Sequence, residues 1–249
     1  MKQALSVWCA FFIIMILLNG TLPFALGADL RSWTYSTPKD ILVHLIIYGG
    51  LFLVAPLILT KGIQIVRQPD FLIPLLVAVL AIALRPLLRP TPIIAIAVIV
   101  YLHWRFDLSQ LGIRSTGWPG DLLAILIIGA LSLAATLLQP AAHTLLPGTA
   151  LASMLERLFT NPAATVENLF YFGFLGERLS AKIGRWTAPL IGLMYTLHEM
   201  SNLEYWYESA PFGLIFVGVT LWAAIYLWRR SLVVIWLGDG FHRYLQSLL

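Results

Sequence analysis

The chain is a succession of apolar runs of roughly 14 to 22 residues, the length that suits a bilayer core about 30 Å thick. Short segments rich in charge, proline and glycine separate them. Only 11% of the 249 residues are charged and 59% are hydrophobic. The mean hydropathy is +0.85, whereas a soluble domain carries roughly 25% charged residues. The pattern predicts an all-α fold: a polytopic transmembrane bundle of about eight helices with no soluble module.

The net charge of +4 comes from Lys and Arg scattered at the ends of apolar runs. That is the distribution of topology signals, and it argues against a nucleic-acid partner. The single cysteine, Cys9, excludes an intramolecular disulfide and a Cys-based metal cage. Residues 1–27 read either as a first transmembrane helix or as a signal-like segment with a cleavage pattern at Ala25–Ala28. The retained helix is the favoured reading. Residues 28–105 supply further apolar spans, broken at "RPLLRPTP", where prolines interrupt the helix. A polar connector, Phe106–Gly120, precedes a span at Asp121–Gln139, and Leu151–Phe159 reads as an interfacial amphipathic helix.

The last third holds the chemistry. Arg178, Lys182 and Arg185 form one expected loop, "SNLEYWYESAP" an acidic one, and Arg229–Arg230 open another basic one. The alternation predicts that the basic loops face the cytoplasm. Counting from Arg178, Arg185 and Arg230, three ionisable residues fall at similar depth. Glu167 lies about 16 Å, His198 about 20 Å and His242 about 18 Å along their helices. Ionisable groups inside a membrane are costly, so three at one level predict a shared polar site. Helical spacing adds Asn202 four residues after His198, Gln246 four after His242, and Asn168 beside Glu167. A carboxylate and a His can hold and deprotonate a water, and a second His with an amide can donate to a developing oxyanion. The set predicts peptide-bond hydrolysis with no cofactor. Two His and one Glu would also make a zinc ligand set, the alternative at Glu167, His198 and His242, although "HEMSN" is not an HExxH motif.

Competing readings give these residues structural roles. Glu167 would pair with Lys182 or Arg185, and His198 and His242 would sit at helix ends near headgroups. His44, His103 and His143 match no motif and fall at span ends, and Glu199 and Glu204 read as solvated loop carboxylates.

At these residues the chain resembles the CPBP family, which groups CAAX prenyl proteases of the Ras-converting type with bacteriocin-processing membrane proteins. "ENLFYFGFLGERL" is similar to the family's EExxxR segment, "MYTLH" to FxxxH, and "HRYLQ" to HxxxN or HxxxD. Asn168 stands at the second Glu, Phe172 at the Arg, Met194 at the Phe and Gln246 at the Asn or Asp. The resemblance covers residues 106–249, including the connector "LSQLGIRSTGWPGDLLAIL". It implies a metal-independent intramembrane endopeptidase in a bacterial inner or plasma membrane. Glu167 would activate water, His198 would help hold it, and His242 would stabilise the oxyanion. The substrate would be a peptide or protein with a membrane-inserted segment, such as a sorting tail, a lipid-modified tail or a leader. The two substitutions in the first motif leave a second reading: an inactive relative acting as an immunity, scaffold or substrate-binding membrane protein.

Overall fold

The computed structural model describes residues 2–88, 92–137, 162–207 and 211–248, with side chains of the last helix described through Phe241. The expected interfacial helix Leu151–Phe159 and His143 lie outside the described residues, as do the side chains of His242 and Gln246.

Among the described residues every regular element is helical. The helices are α1 (Lys2–Ala25), α2 (Leu30–Thr34), α3 (Thr37–Lys61), α4 (Pro69–Ala83), α5 (Pro92–Phe106), α6 (Trp118–Leu137), α7 (162–183), α8 (Thr187–Ser201), α9 (Leu203–Tyr207), α10 (Phe212–Arg229) and α11 (Leu232–Leu248). Helices α1, α3 and α10 are long and apolar enough to cross a membrane, and α4, α5 and parts of α6 and α11 are shorter apolar helices. Pro69 opens α4, where its missing N–H costs nothing. Asp29 caps α2: its carboxylate accepts the Ser32 N–H at 2.9 Å, which holds the carboxyl below the usual aspartate range.

Helix α7 is the centre of the bundle. Every residue from Thr165 to Gly176 is buried, so this stretch of the helix has no solvent-facing stripe. It packs against α3, α5, α8, α10 and α11. Two stretches, Val43–Val54 in α3 and Leu169–Gly176 in α7, wind as π-helix, and they face each other across the core. Phe52 of α3 stacks on Phe170 of α7 with ring centres 4.5 Å apart. The wider winding changes which residues align over successive turns, so the four-residue spacing that suits an α-helix does not apply between Leu169 and Gly176.

Hydrogen-bonded collars close both ends. At the first, Arg178 donates to the Leu59 carbonyl and Lys61 to the Asp107 carbonyl. Glu177 accepts from Tyr226 at 2.7 Å and from Arg114 at 3.2 Å, and pairs with Arg230 at 3.4 Å. Two connector residues are locked to the α10–α11 turn: Arg114 donates to the Arg230 carbonyl, and the Gly112 carbonyl accepts from Leu232 N–H. At the second collar, Asn19 donates to the Ser201 carbonyl, Trp33 to the Leu18 carbonyl, and Lys39 pairs with Glu204.

Two expected loops are partly helical. The stretch that carries Arg178 and Lys182 continues α7 through Ile183, ending where Gly184 takes a positive φ of 53°. The acidic segment after α8 contains α9. Helix α7 runs on because no Gly or Pro follows Arg178 until Gly184, whereas α8 ends at Ser201 and a separate short helix follows it.

Candidate active site

Glu167 sits two residues before the π-wound stretch of α7 and is buried. Its Oε2 accepts a hydrogen bond from the Tyr195 hydroxyl at 3.1 Å. Its Oε1 lies 3.9 Å from Nε2 of His198 on α8. That gap is too long for a direct hydrogen bond. Lys182 and Arg185, the alternative partners considered from sequence, are exposed at the far end of α7 and beyond it.

His198 is no interfacial residue: it is 5% exposed and its ring is clamped by four others. Tyr171 stacks parallel to it, 5.7 Å between centres and 15° between planes. Phe11 of α1 and Phe52 of α3 meet it edge-on at 4.6 and 5.5 Å, and Tyr195 lies 5.7 Å away. Its Nδ1 is buried without a hydrogen-bond partner among the described residues. The cage fixes the ring plane, so Nε2 is held towards Glu167.

A cavity of about 230 Å³ opens on this pair. Its polar wall includes Glu167, Tyr195, His198, Glu199, Asn202 and Glu204 from α7, α8 and the segment after α8. The opposite wall comes from the amino-terminal helices: Lys39, Asp40 and His44 of α3, and Arg85 just past α4. Lys39, Asp40 and Arg85 were missed in the sequence, where residues 28–105 read as merely apolar, and His44, read there as a span-end residue, is buried on the cavity wall. The available signal was topological. Lys39 opens α3, Arg85 follows α4 and Glu204 follows α8, so alternating spans bring all three to one end. His44 is buried, with Nδ1 2.7 Å from the Asp40 carbonyl and Nε2 3.2 Å from Arg85. A carbonyl only accepts, so the proton is on Nδ1 and Nε2 accepts from the guanidinium. Among the described residues no carboxylate pairs with Arg85.

Glu199 is buried and lines the cavity, and Glu204 is paired with the buried Lys39, so neither is a solvated loop carboxylate. Asn202 reaches the cavity by another route than the expected one. Helix α8 ends at Ser201, and Asn202 is extended (φ −90°, ψ 111°) with its Oδ1 accepting the Glu204 N–H. His103 plays a local part, its Nδ1 accepting the Leu108 N–H.

Asn168 points elsewhere. With Glu167, Phe172, Tyr195, Val219, Trp222 and Asp239 it lines a second cavity of about 30 Å³. Asp239 of α11 is a further carboxylate that the sequence did not single out. It lies one turn before His242, and the Trp236 indole on the same helix donates to the Thr165 carbonyl at 2.9 Å, tying α11 to the start of α7. Phe172 packs near Tyr226, 6.1 Å between ring centres. Among the described residues no cluster of three or more His, Cys, Asp or Glu has a metal-holding arrangement.

Comparison with known protein families, with curated proteins and with solved structures finds no match.

Proposed function

We propose that the protein is a multi-pass membrane hydrolase that cleaves a peptide bond of a membrane-inserted segment, with Glu167 activating water. The observation that carries this reading is the Glu167–His198 pair at 3.9 Å on the wall of a buried polar cavity. A water beside the pair, on the cavity side, can bridge two groups at that separation. Tyr195 fixes one carboxylate oxygen, which leaves the other to accept the proton. The water oxygen attacks the peptide carbonyl carbon while its proton passes to Glu167. Breaking the C–N bond then returns that proton to the leaving amine. His198 orients the water through Nε2.

The resemblance to CPBP proteases supports the same reading, with His242 and Gln246, about one and two turns beyond Asp239, as oxyanion donors. No step needs a cofactor, and zinc at Glu167, His198 and His242 is the minority alternative. Charge supports the orientation. Lys61, Arg114, Arg178, Lys182 and Arg230 gather at the collar away from the cavity, which supports an orientation with that end in the cytoplasm and the site towards the far side of a bacterial inner or plasma membrane.

The test uses Glu167→Ala and Glu167→Gln against tail-anchored, lipid-modified and leader-bearing peptides in membranes. Loss of a general base costs roughly 100-fold or more in rate. Undiminished cleavage by both variants rules Glu167 out of the chemistry. The motif substitutions favour a second reading, a non-catalytic membrane partner. Phe172 fills with packing a position where the family motif carries a charge. An unchanged phenotype when Glu167, His198 and His242 are all replaced selects that reading.

A further inference from the structure

The first collar holds more positive charge than its carboxylates use. Arg229 pairs with Asp121, and Arg114 and Arg230 pair with Glu177. Among the described residues no carboxylate lies within ion-pair distance of Lys61, Arg178, Lys182 or Arg185. Arg178 stands apart from the other three because it lines a pocket of about 310 Å³. The pocket lies where α3, the connector and α7 meet, and its walls include Thr60, Gln110, Leu111, Phe174 and Glu177. The Arg178 guanidinium sits over the Phe174 ring, 4.5 Å from its centre. Its Nη2 donates to the Leu59 carbonyl at 2.9 Å and to Thr60 Oγ1 at 3.4 Å. These contacts fix the plane of the group and occupy one of its nitrogens. The N–H groups on Nε and Nη1 have no acceptor among the described residues. Thr60 accepts from Arg178, so its own hydroxyl proton is left to donate. Glu177 adds a carboxylate to the wall, but Tyr226, Arg114 and Arg230 already engage it, and two guanidinium groups offset its charge.

We propose that this pocket binds a phosphate group, and that an anionic phospholipid headgroup is the source its position favours. A phosphate offers several acceptor oxygens at once, and a guanidinium fork meets two of them in parallel. Phe174 and the Leu59 carbonyl hold that fork in place beforehand, so little side-chain freedom is lost on binding. The Thr60 hydroxyl and the Gln110 amide supply neutral donors to the remaining oxygens. Depth selects the lipid. Helix α3 is one of the helices long and apolar enough to cross a membrane, and Thr60 and Lys61 are its last two residues. The pocket therefore falls at headgroup level, in basic surroundings that attract anionic lipid. Leu111 and Phe174 give the glycerol an apolar wall. A bound phosphate adds a second link between α3 and α7, which Arg178 already joins through the Leu59 carbonyl. Neither Glu167 nor His198 lines this pocket, so the inference stands apart from the hydrolase reading.

The test follows thermal unfolding of the full chain in detergent as short-chain phosphatidylglycerol, diacylglycerol with the same chains, or inorganic phosphate is added. A ligand that binds the folded state raises the midpoint with its concentration. Phosphatidylglycerol is expected to raise it, and diacylglycerol, which lacks the phosphate, is not. An equal rise with diacylglycerol, or no rise with either phosphate compound, overturns the proposal. A rise with inorganic phosphate at the concentrations where the lipid acts supports the phosphate site and makes a soluble phosphate its ligand. Arg178→Gln is expected to weaken binding by roughly tenfold or more. Lys182→Gln removes the same charge from the same end, outside the pocket, and is expected to leave the binding curve in place. Equal weakening by both variants means diffuse attraction to the collar and overturns the site. Should Arg178→Gln fail to fold, Arg178→Lys keeps the charge and loses the fork, and Gln110→Ala removes an exposed donor. Binding undiminished in both overturns the assignment.

Discussion

Tyr195 is the smallest change that separates chemistry from packing at this site. Its hydroxyl is bonded to Glu167 Oε2, while its ring packs on Tyr171 with centres 5.0 Å apart. Tyr195→Phe keeps the ring and deletes the donor. A hydrogen bond to a charged group contributes about 1.5–3 kcal/mol, and each 1.36 kcal/mol off the barrier is about tenfold in rate. Cleavage is therefore predicted to fall by about 10- to 100-fold. A loss of thermal stability with cleavage by the folded protein undiminished would assign Tyr195 to packing alone. The residues of the site were unequally legible. Glu167 and His198 stood out because a charged or titratable side chain inside an apolar run is costly and therefore conspicuous. Asp239 and Tyr195 did not. Asp239 shares its stretch with His242 and Arg243, so it reads as part of a polar helix end, and a tyrosine in an apolar run carries no such cost.

At the scale of elements, close approach of backbones sets the tolerances. A Cβ on Gly173 would collide with the Leu111 carbonyl oxygen, a backbone atom that cannot move aside without shifting the connector. Gly112, with φ of +72°, sits against the Tyr226 hydroxyl in the same joint. Gly173→Ala is predicted to destabilise by about 1–3 kcal/mol, the usual range for overpacking. Gly213→Ala is the control. A Cβ there meets nothing within 4 Å, and in a helix Ala is favoured over Gly by up to about 1 kcal/mol. Thermal unfolding in one detergent decides the pair, and equal midpoints would contradict the joint. Helix positions followed from the apolar runs: Ile41–Thr60 became part of α3, the described part of Asp121–Gln139, through Leu137, lies in α6, and Thr187–Met200 became most of α8. What the runs could not reveal was the π winding of α3 and α7. It leaves hydropathy unchanged while rotating the side chains, so faces assigned from α-helical spacing drift there. The amino-terminal wall of the cavity was hidden for a different reason. Its members are far apart in the chain, and only the folded order of the helices joins Lys39 and His44 to Glu204 and His198.

For the molecule as a whole, the first collar gathers more basic residues than the second, and the difference predicts a direction of insertion. In a Cys9→Ser background, a membrane-impermeant thiol reagent on intact cells is expected to label Trp206→Cys. Lys182→Cys should react only after permeabilisation. Both side chains are exposed in the wild-type chain, so access is set by sidedness. Labelling of Lys182→Cys alone would invert the proposed topology and turn the site towards the cytoplasm. The same architecture gives the first helix an unexpected duty. Phe11 presses on the His198 ring, Met15 lines the cavity, Asn19 grips the end of α8, and Trp33 is hooked back onto Leu18. A peptidase that trimmed the chain at Ala25–Ala28 would do more than shorten it. It would unroof the imidazole, cut the tether on α8 and take away one side of the chamber, so the fate of twenty-odd amino-terminal residues decides how far the chamber stands open.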